Sequence, residues 1–249
     1  MVSHIMSEDM RFRPEMDNDN FLLKDLRRNY VRAAANQGWF EQQWMGLTLW
    51  QIGEDLVRMQ RMVHELRPQW IVETGTKFGG SAIYWASILH ALGLTDSRVI
   101  TLDLMEQPDA IKAFATHFLR DYVSAYILGD AADPVNVKKV EEIISIDPGP
   151  TLVFLDDNHN RDHVLSELRQ YSKFVTENSL IVVADTVYED LDGTPVGKSN
   201  EKYPDVAVSN PRAAIRMFLE ENSNFEMDMS FTGSGGPSLF PDGFLRRIK

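Results

Sequence analysis

The sequence predicts an α/β protein with a doubly wound parallel sheet, and two observations support this. First, short apolar, β-branched runs alternate with helical patterns through most of the 249 residues. Such alternation is typical of a parallel sheet with helices on both faces. Second, the last two strand-like runs, 225–231 and 244–248, have no helical pattern between them. They predict a C-terminal antiparallel hairpin at one edge of the sheet, which gives seven strands in all.

The segment before the sheet is polar at first and then helical. We interpret residues 1–20 as a mobile arm, and residues 21–35 have apolar side chains at helical spacing. Tryptophan and phenylalanine cluster within 39–50. We expect this cluster to form core or subunit contacts, with a cover over a substrate as the alternative. The prediction is therefore an arm and helical cap at 1–45 and a main domain at 46–249.

The elements of the main domain follow in order from spacing and turn residues. Apolar side chains repeat at intervals of three and four over 51–66, which predicts an amphipathic helix that Pro68 ends. Parallel strands are predicted at 70–73, 98–103, 122–128, 151–156 and 179–185. Further helices are predicted at 81–92, 109–118, 135–144, 163–175 and 212–220. Residues 186–205 are polar and contain glycine and proline, so they predict a long loop.

Composition excludes several classes of function. The net charge of −12 would repel nucleic acid, whereas a neutral or cationic small molecule or a divalent metal is compatible with it. The absence of cysteine excludes disulfides, thiolate metal sites and cysteine nucleophiles. The apolar runs are too short for a membrane span, and the first ten residues lack the pattern of a signal peptide. We therefore expect a cytoplasmic protein.

A glycine-rich turn follows the first strand of the sheet, within 73–81. Gly75 and Gly79 can adopt backbone angles that other residues avoid, and they let a ligand approach the main chain closely. The helix that begins at Ser81 directs its free N–H groups into the same turn. Glu73 suits a cationic or hydroxyl-bearing ligand better than a phosphate. The pattern resembles the first motif of class I S-adenosylmethionine (SAM) methyltransferases, and a turn without a ligand is the alternative.

Acidic residues recur where the predicted strands end, and ligands of open α/β sheets bind at that edge. The acids are Glu73, Asp103, Asp156 and Asp185, and Asp130 follows the third strand. Asp103 is suited to bind a ribose diol, which both SAM and NAD contain. Asp130 either contacts the adenine or belongs to a turn or helix cap.

Two of these acids and a histidine predict a reaction centre. Asp156 and Asp185 can converge on a divalent cation such as Mg²⁺, which prefers carboxylate oxygens. His159 can accept a proton from a hydroxyl whose pKa such a metal lowers. Transfer of a methyl group to an alcohol requires these functions. The alternative is that Asp156 and Asp157 cap the following helix and that His159 is a loop residue.

Four segments in this order resemble the cephalosporin hydroxylase/rhamnosyl O-methyltransferase family. They are 73–81, Leu-Asp-Asp-Asn-His at 155–159, Val-Val-Ala-Asp at 182–185, and Pro-Asp-Gly-Phe-Leu at 241–245. The resemblance implies a Rossmann-like class I methyltransferase fold that uses SAM. It also implies Mg²⁺-assisted methylation of a hydroxyl on a sugar, glycolipid or secondary metabolite, and homo-oligomers.

The resemblance also assigns roles to single residues. It matches Glu73, Gly75 and Asp103 to SAM binding, Asp156 and Asp185 to metal binding, and His159 to the base. The full set of predicted cofactor-binding residues is Glu73, Gly75, Thr76, Lys77, Gly79, Ser81, Asp103, Asp130 and Asp156, and the predicted catalytic residues are His159 and Asp156. The family usually has Glu-Asp where this chain has Ala184-Asp185, so a route without metal, with His159 oriented by an acid, stays open.

Three other functions fit parts of the pattern. An NAD-dependent oxidoreductase would share the fold, but the sequence lacks G-x-G-x-x-G in the first turn. A non-haem iron hydroxylase could use His159, His163 and Asp156 as ligands, although His163 is otherwise expected to start a helix. A SAM-binding subunit without activity would account for Ala184. Tyr188, Glu189 and Asp190 follow the fifth strand closely enough to reach a substrate or metal, but we interpret them as mobile loop residues.

Overall fold

The computed structural model describes residues 20–232 and 236–249. Its strands are β1 (Gln43–Trp44), β2 (Leu47–Thr48), β3 (Trp70–Thr74), β4 (Arg98–Asp103), β5 (Val123–Leu128), β6 (Thr151–Leu155), β7 (Leu180–Val183), β8 (Phe225–Met227) and β9 (Phe244–Arg247). Its helices are α1 (Asn20–Asn36), α2 (Gly53–Leu66), α3 (Gly80–Ala91), α4 (Pro108–Thr116), α5 (Pro134–Ile146), α6 (Arg161–Tyr171), α7 (Tyr188–Leu191), α8 (Pro211–Glu221) and α9 (Met229–Thr232). Within these described ranges, no helix is long and apolar enough to span a membrane.

The main sheet has seven strands in the order β5-β4-β3-β6-β7-β9-β8. The strands from β3 to β7 are parallel, and β9 is antiparallel to both β7 and β8. Every residue of β3, β6 and β7 is buried, as expected for parallel strands that are covered on both faces. The predicted doubly wound seven-stranded sheet with a terminal antiparallel pair is confirmed.

The register brings the carboxyl ends of the central strands to one level. Thr74, the last residue of β3, pairs with Leu102 of β4 and with Leu155 of β6. Leu155 pairs in turn with Val183, the last residue of β7. The loops that leave these strands therefore emerge side by side, which positions the site described below.

Two predicted elements differ from the structure. The strand predicted at 225–231 ends at Met227, because Asp228 accepts hydrogen bonds from the N–H and hydroxyl groups of Ser230 and starts the short helix α9. The loop predicted at 186–205 contains α7, in which Asp190 is buried. Asp190 pairs with Arg212 at 3.1 Å and with Arg27 at 2.5 Å, so its interpretation as a mobile loop charge is wrong.

The segment before the sheet crosses the first turn of α3. The indole N–H of Trp44 donates to Ser87 at 3.0 Å, and the Trp44 ring packs edge-on against Tyr84. A Cβ at Gly80 would overlap the carbonyl oxygen of Thr48. The sequence predicts that the aromatic cluster within 39–50 forms core or subunit contacts, and Trp44 forms a core contact of this kind. Nearly all of the predicted arm lies outside the described residues, and the division into 1–45 and 46–249 stays a prediction.

Gly80→Ala is expected to destabilise the fold, because its methyl group would push the Thr48 backbone off α3. Overpacking of this kind costs about 1–3 kcal/mol in the free energy of unfolding. Gly53→Ala is the matched control, since Gly53 is also the first residue of a helix and a Cβ there meets nothing within 4 Å. Urea denaturation of both variants measures the difference. Equal stabilities would contradict the close contact.

Candidate active site at the carboxyl edge of the sheet

A cleft of about 520 Å³ opens beyond the carboxyl ends of β3, β4, β6 and β7. It brings together most of the predicted site residues, namely Gly75, Thr76, Lys77, Ser81, Asp103, Asp130, Asp156, His159 and Asp185. Glu73 and Gly79 lie outside its lining. The cleft is therefore at the edge where the sequence predicts it, and open α/β sheets bind ligands there.

Gly75 makes the contact that brings the two halves of the cleft together. Its φ of 90° is one that glycine adopts at little cost. A Cβ at this position would overlap the carbonyl oxygen of Asp156. Its N–H donates to the carbonyl oxygen of Leu102 at 2.8 Å. Glycine is therefore required here by the packing of the turn between β4 and the end of β6.

Glu73 is fully buried one residue before the end of β3. Its carboxylate accepts hydrogen bonds from the indole N–H of Trp85 at 3.1 Å and from the hydroxyl of Thr101 at 2.8 Å. Burial raises its pKa to about 7, although hydrogen bonds from Ser81, Thr101 and Trp85 oppose that effect. Since Ser81 lines the cleft, Glu73 contacts a lining residue and is itself behind the wall.

Asp103 holds the glycine-rich turn against the end of β4. Its two carboxylate oxygens accept the backbone N–H groups of Lys77 at 2.7 Å and Met105 at 3.1 Å. The Lys77 ammonium lies 5.1 Å from the centre of the Trp50 ring, a distance typical of a cation–π contact. Asp103 therefore shapes the turn and also lines the cleft.

The sequence leaves two roles open for Asp130, a contact with the adenine and a place in a turn or helix cap. The structure assigns the helix cap to Asp133. Asp133 caps α5 by accepting the N–H of Val135 at 2.9 Å. Asp130 accepts the N–H of Ala132 at 2.8 Å in the preceding turn and also lines the cleft. The cap is therefore Asp133, and Asp130 has a turn role together with a position suited to ligand contact.

Asp156, His159 and Asp185 meet in the cleft. His159 Nε2 lies 3.1 Å from a carboxylate oxygen of Asp185. Burial, followed by the charges of Asp185 and Glu73, raises the pKa of Asp156 well above its ordinary value. Burial also raises the pKa of Asp185, and His159 partly offsets that effect. The backbone of Asp185 is left-handed, with a φ of 54°, a conformation that aspartate tolerates better than most non-glycine residues.

Aromatic rings surround the histidine. The ring of Tyr188 lies 4.7 Å from that of His159, and the ring of Tyr203 lies 5.1 Å from it and is stacked. His159 Nδ1 is buried and has no hydrogen-bond partner among the described residues. With Nε2–H directed to Asp185, Nδ1 is the basic nitrogen of the neutral ring.

His163 forms a second polar contact that the sequence does not predict. Its Nε2 lies 3.2 Å from Asp157 and 3.9 Å from Asp130. The alternative interpretation, in which Asp156 and Asp157 cap α6, is wrong, since Asn160 occupies the cap position and makes no side-chain cap bond. The sequence does contain a signal for a related contact of His163. His163 and the buried Glu167 are four residues apart, and residues at this spacing are neighbours on one helix face.

The ligand set of the iron hydroxylase hypothesis is not assembled. His159 pairs with Asp185 and His163 pairs with Asp157, so the two imidazoles do not share a carboxylate. Among the residues that the structure describes, no group of three potential metal ligands contains both histidines. A two-histidine, one-carboxylate iron site therefore has no counterpart here.

Gln51 and Tyr203 are lining residues that the sequence analysis missed. The Gln51 side-chain amide donates to Asp156 at 2.9 Å, and its carbonyl oxygen is buried without a hydrogen-bond partner. Trp39 and Trp50 also line the cleft, so part of the aromatic segment covers it, as the alternative interpretation holds. No local motif marks Gln51 or Tyr203.

Comparison with known proteins identifies the family. The model of the Rhamnosyl O-methyltransferase/CmcI family matches residues 36–248. The chain belongs to this family. It is 27% identical to the rhamnosyl O-methyltransferase of Mycobacterium tuberculosis (strain ATCC 25618 / H37Rv) over 214 residues. These aligned residues are 86% of this chain and 81% of that protein. The chain is thus a SAM-dependent O-methyltransferase, as its sequence predicts.

Solved structures support the fold. An apo structure of CmcI is similar with a TM-score of 0.61 and 18% identity, over 85% of this chain and 78% of that chain. A CmcI structure with Mg and SAM has a TM-score of 0.56 and 18% identity over the same shares. The predicted Rossmann-like class I methyltransferase fold is confirmed.

Glu73→Gln is expected to make stability less dependent on pH. The folded protein binds a proton at Glu73 up to a pH of about 7, whereas the ordinary carboxyl pKa is 4.5. The contribution of Glu73 to the free energy of unfolding therefore decreases as the pH rises from 4.5 to 7. The stability of the variant relative to the wild type should rise over this range by up to about 3 kcal/mol.

Urea denaturation at several pH values from 5 to about 8 measures this difference. Glu226→Gln is the control, because Glu226 is exposed on β8. A difference between Glu73→Gln and wild type that stays constant with pH would contradict the raised pKa of Glu73.

Proposed function

We propose that this enzyme methylates a hydroxyl of a sugar, glycolipid or glycosylated secondary metabolite, with His159 as the base. The observation that carries the proposal is the pairing of His159 with Asp185 beside Asp156 in the cleft. The names of the curated relatives, rhamnosyl O-methyltransferases, support a sugar acceptor. The lining combines the rings of Trp39, Trp50, Tyr188 and Tyr203 with carboxylates, a combination that suits a sugar with apolar faces and hydroxyl edges.

The charge of the cleft supports SAM as the cofactor over NAD. Five carboxylates line it, those of Asp103, Asp130, Asp156, Asp157 and Asp185, against the ammonium groups of Lys77 and Lys202. SAM carries a positive sulfonium group, whereas NAD would place a pyrophosphate in this field. Like charges in a cleft repel strongly, so the lining disfavours the dinucleotide.

The geometry supports a direct displacement. The acceptor oxygen attacks the methyl carbon of SAM as the carbon–sulfur bond breaks, and the sulfur keeps the bonding electrons in S-adenosylhomocysteine. The hydroxyl proton passes to the imidazole of His159, which lines the cleft. Asp185 accepts the Nε2–H hydrogen bond, orients the ring and stabilises the imidazolium that forms.

The residues also fit a divalent cation, held by Asp156 and Asp185. Burial raises the pKa of Asp156, and the repulsion of Asp185 adds to it, so negative charge at this point is incompletely compensated. Ala184 is buried and offers no ligand, but Mg²⁺ commonly keeps several waters and needs only one or two protein carboxylates. When bound, the ion would lower the pKa of the acceptor hydroxyl. The homo-oligomer and the cytoplasmic location stay predictions.

His159→Ala is expected to lower methyl transfer by about 10²–10⁴-fold, the usual contribution of a general base. The assay measures S-adenosylhomocysteine release with a panel of rhamnosides, other glycosides and phenols. SAM affinity, measured by calorimetry, should stay within about twofold, since the base does not hold the cofactor. His90→Ala is the control, because His90 contacts Tyr122 and lies outside the cleft.

Full activity of His159→Ala on the best acceptor would contradict the role of His159. Tight binding of NAD to the wild type would contradict the cofactor assignment. Turnover at background level across the glycosides of the panel would contradict the proposed acceptor class.

Removal of divalent metal with EDTA is expected to slow the wild type, and added Mg²⁺ should restore the rate. Asp185→Asn should lose both the activity and the response to Mg²⁺, because the amide is a weaker ligand and a weaker partner for His159. Asparagine tolerates the left-handed backbone at this position, so the variant should stay folded. A wild-type rate unaffected by EDTA would mean that Asp156 and Asp185 hold no required metal.

A further inference from the structure

A second cluster of ligand-type side chains involves the first half of α6 and the loop between β6 and α6. Its members are Asp157, which follows β6, and His163 and Glu167, which are one helical turn apart on α6. One ligand atom from each of the three lies within 4.8 Å of the other two. In the ranges 20–232 and 236–249, no other trio of histidine, aspartate and glutamate side chains meets this criterion.

Glu167 is the unusual member, because its carboxylate is completely buried. Its side chain has 0% exposure, and its oxygens, whose polar neighbours are Asp157 and Thr74, make no hydrogen bond of good geometry in the described structure. One oxygen of the adjacent Asp157 carboxylate is likewise buried without a partner. Burying uncompensated carboxylates is costly, so such groups are normally paired, protonated or bound to a metal.

The spacing of the polar atoms suits a metal ion. His163 Nε2 lies 3.2 Å from one Asp157 oxygen and 3.7 Å from one Glu167 oxygen. Ligands held about 2.1 Å from a zinc ion are separated from one another by about 3.0–3.4 Å in octahedral or tetrahedral geometry. Small side-chain adjustments would therefore place a cation among the three.

We propose that Asp157, His163 and Glu167 form a binding site for a divalent transition-metal ion such as Zn²⁺ or Mn²⁺, distinct from the site at Asp156 and Asp185. One imidazole with two carboxylates favours these ions over Mg²⁺, which prefers oxygen ligands alone. Asp130, 3.9 Å from His163, is placed to supply a further oxygen.

The ion has a structural role at the cleft wall. Asp157 is the second residue after β6, whereas His163 and Glu167 belong to α6, so a shared ion ties the helix to the strand end. Asp157 and His163 also line the cleft, which gives the ion a path of entry. Neutralising both carboxylates removes the repulsion between them, and the wall beside the cofactor becomes more rigid.

Direct titration tests the proposal. Protein freed of metal with EDTA and transferred to chelator-free buffer is titrated with Co²⁺, which reports its ligands by visible absorption, and with Zn²⁺ by calorimetry. His163→Gln and Glu167→Gln should each weaken binding at this site by more than about 100-fold, since even groups that only support a ligand contribute 10–100-fold. Asp185→Asn should keep this binding, as should His90→Gln, a control outside the cleft.

The metal readout is independent of methyl transfer, so the proposed function and this site can fail separately. The expected result is one equivalent of Co²⁺ lost in both α6 variants and kept in Asp185→Asn. Binding that is lost only in Asp185→Asn, or absent from the wild type, would overturn the proposal. Unchanged Co²⁺ binding in both α6 variants would also overturn it. A higher melting temperature of Glu167→Gln would then indicate that Glu167 and Asp157 share a proton. His163→Gln, at a partly exposed position, keeps the test valid if Glu167→Gln does not fold.

Discussion

The contact between Gly75 and the backbone of Asp156 determines the geometry of the whole site. The N–H of Asp156 donates to the carbonyl oxygen of Thr74, which continues the pairing of β3 with β6 by one residue. The chain then turns at Gly75, and the carbonyl oxygen of Asp156 lies in the space that a Cβ of residue 75 would fill. Because the strand ends are level, this turn places the glycine-rich loop and the acids after β6 in one cleft. The cofactor and the proposed base depend on the same backbone junction.

That junction also concentrates negative charge, and each carboxylate is compensated differently. Asp103 accepts two backbone N–H groups, Asp157 accepts from His163, and Asp185 pairs with His159. Burial is the largest effect on the pKa of Asp157 and would raise it, but the contacts with His163 and Glu167, together with the charges of His163 and His159, outweigh burial and lower the pKa. Asp156 has only the neutral Gln51 amide, and its pKa is raised. The point of least compensation is therefore beside the proposed base, where a sulfonium cofactor or a divalent cation has the most favourable electrostatic environment.

The sheet and the edge that carries the site could be predicted because both depend on local patterns. Strand and helix periods alternate clearly, and Asp156, His159 and Asp185 all lie within four residues of the end of an apolar strand. Gln51 could not be found this way, since it lies 105 residues from its partner Asp156 and before the first strand of the main sheet. The burial of Glu73 was equally hidden, because β3 is covered on both faces and has no alternating pattern that separates an inward from an outward residue. Contacts between distant segments, such as Asp190 with Arg27, leave no local pattern.

Ala184 shows how the packing of this chain affects the balance between two means of deprotonating the acceptor. Its side chain belongs to an apolar cluster with Val187, Leu191 and Phe240. The family usually has a glutamate at this position. In this chain the position is buried among apolar side chains, so a charge there would be costly. A metal at Asp156 and Asp185 would accordingly have fewer protein ligands and more waters, and it would be held less tightly. In the proposed function, the His159–Asp185 pair would then contribute more of the proton removal, and the imidazole ring is already fixed by Asp185 and by the stacked ring of Tyr203.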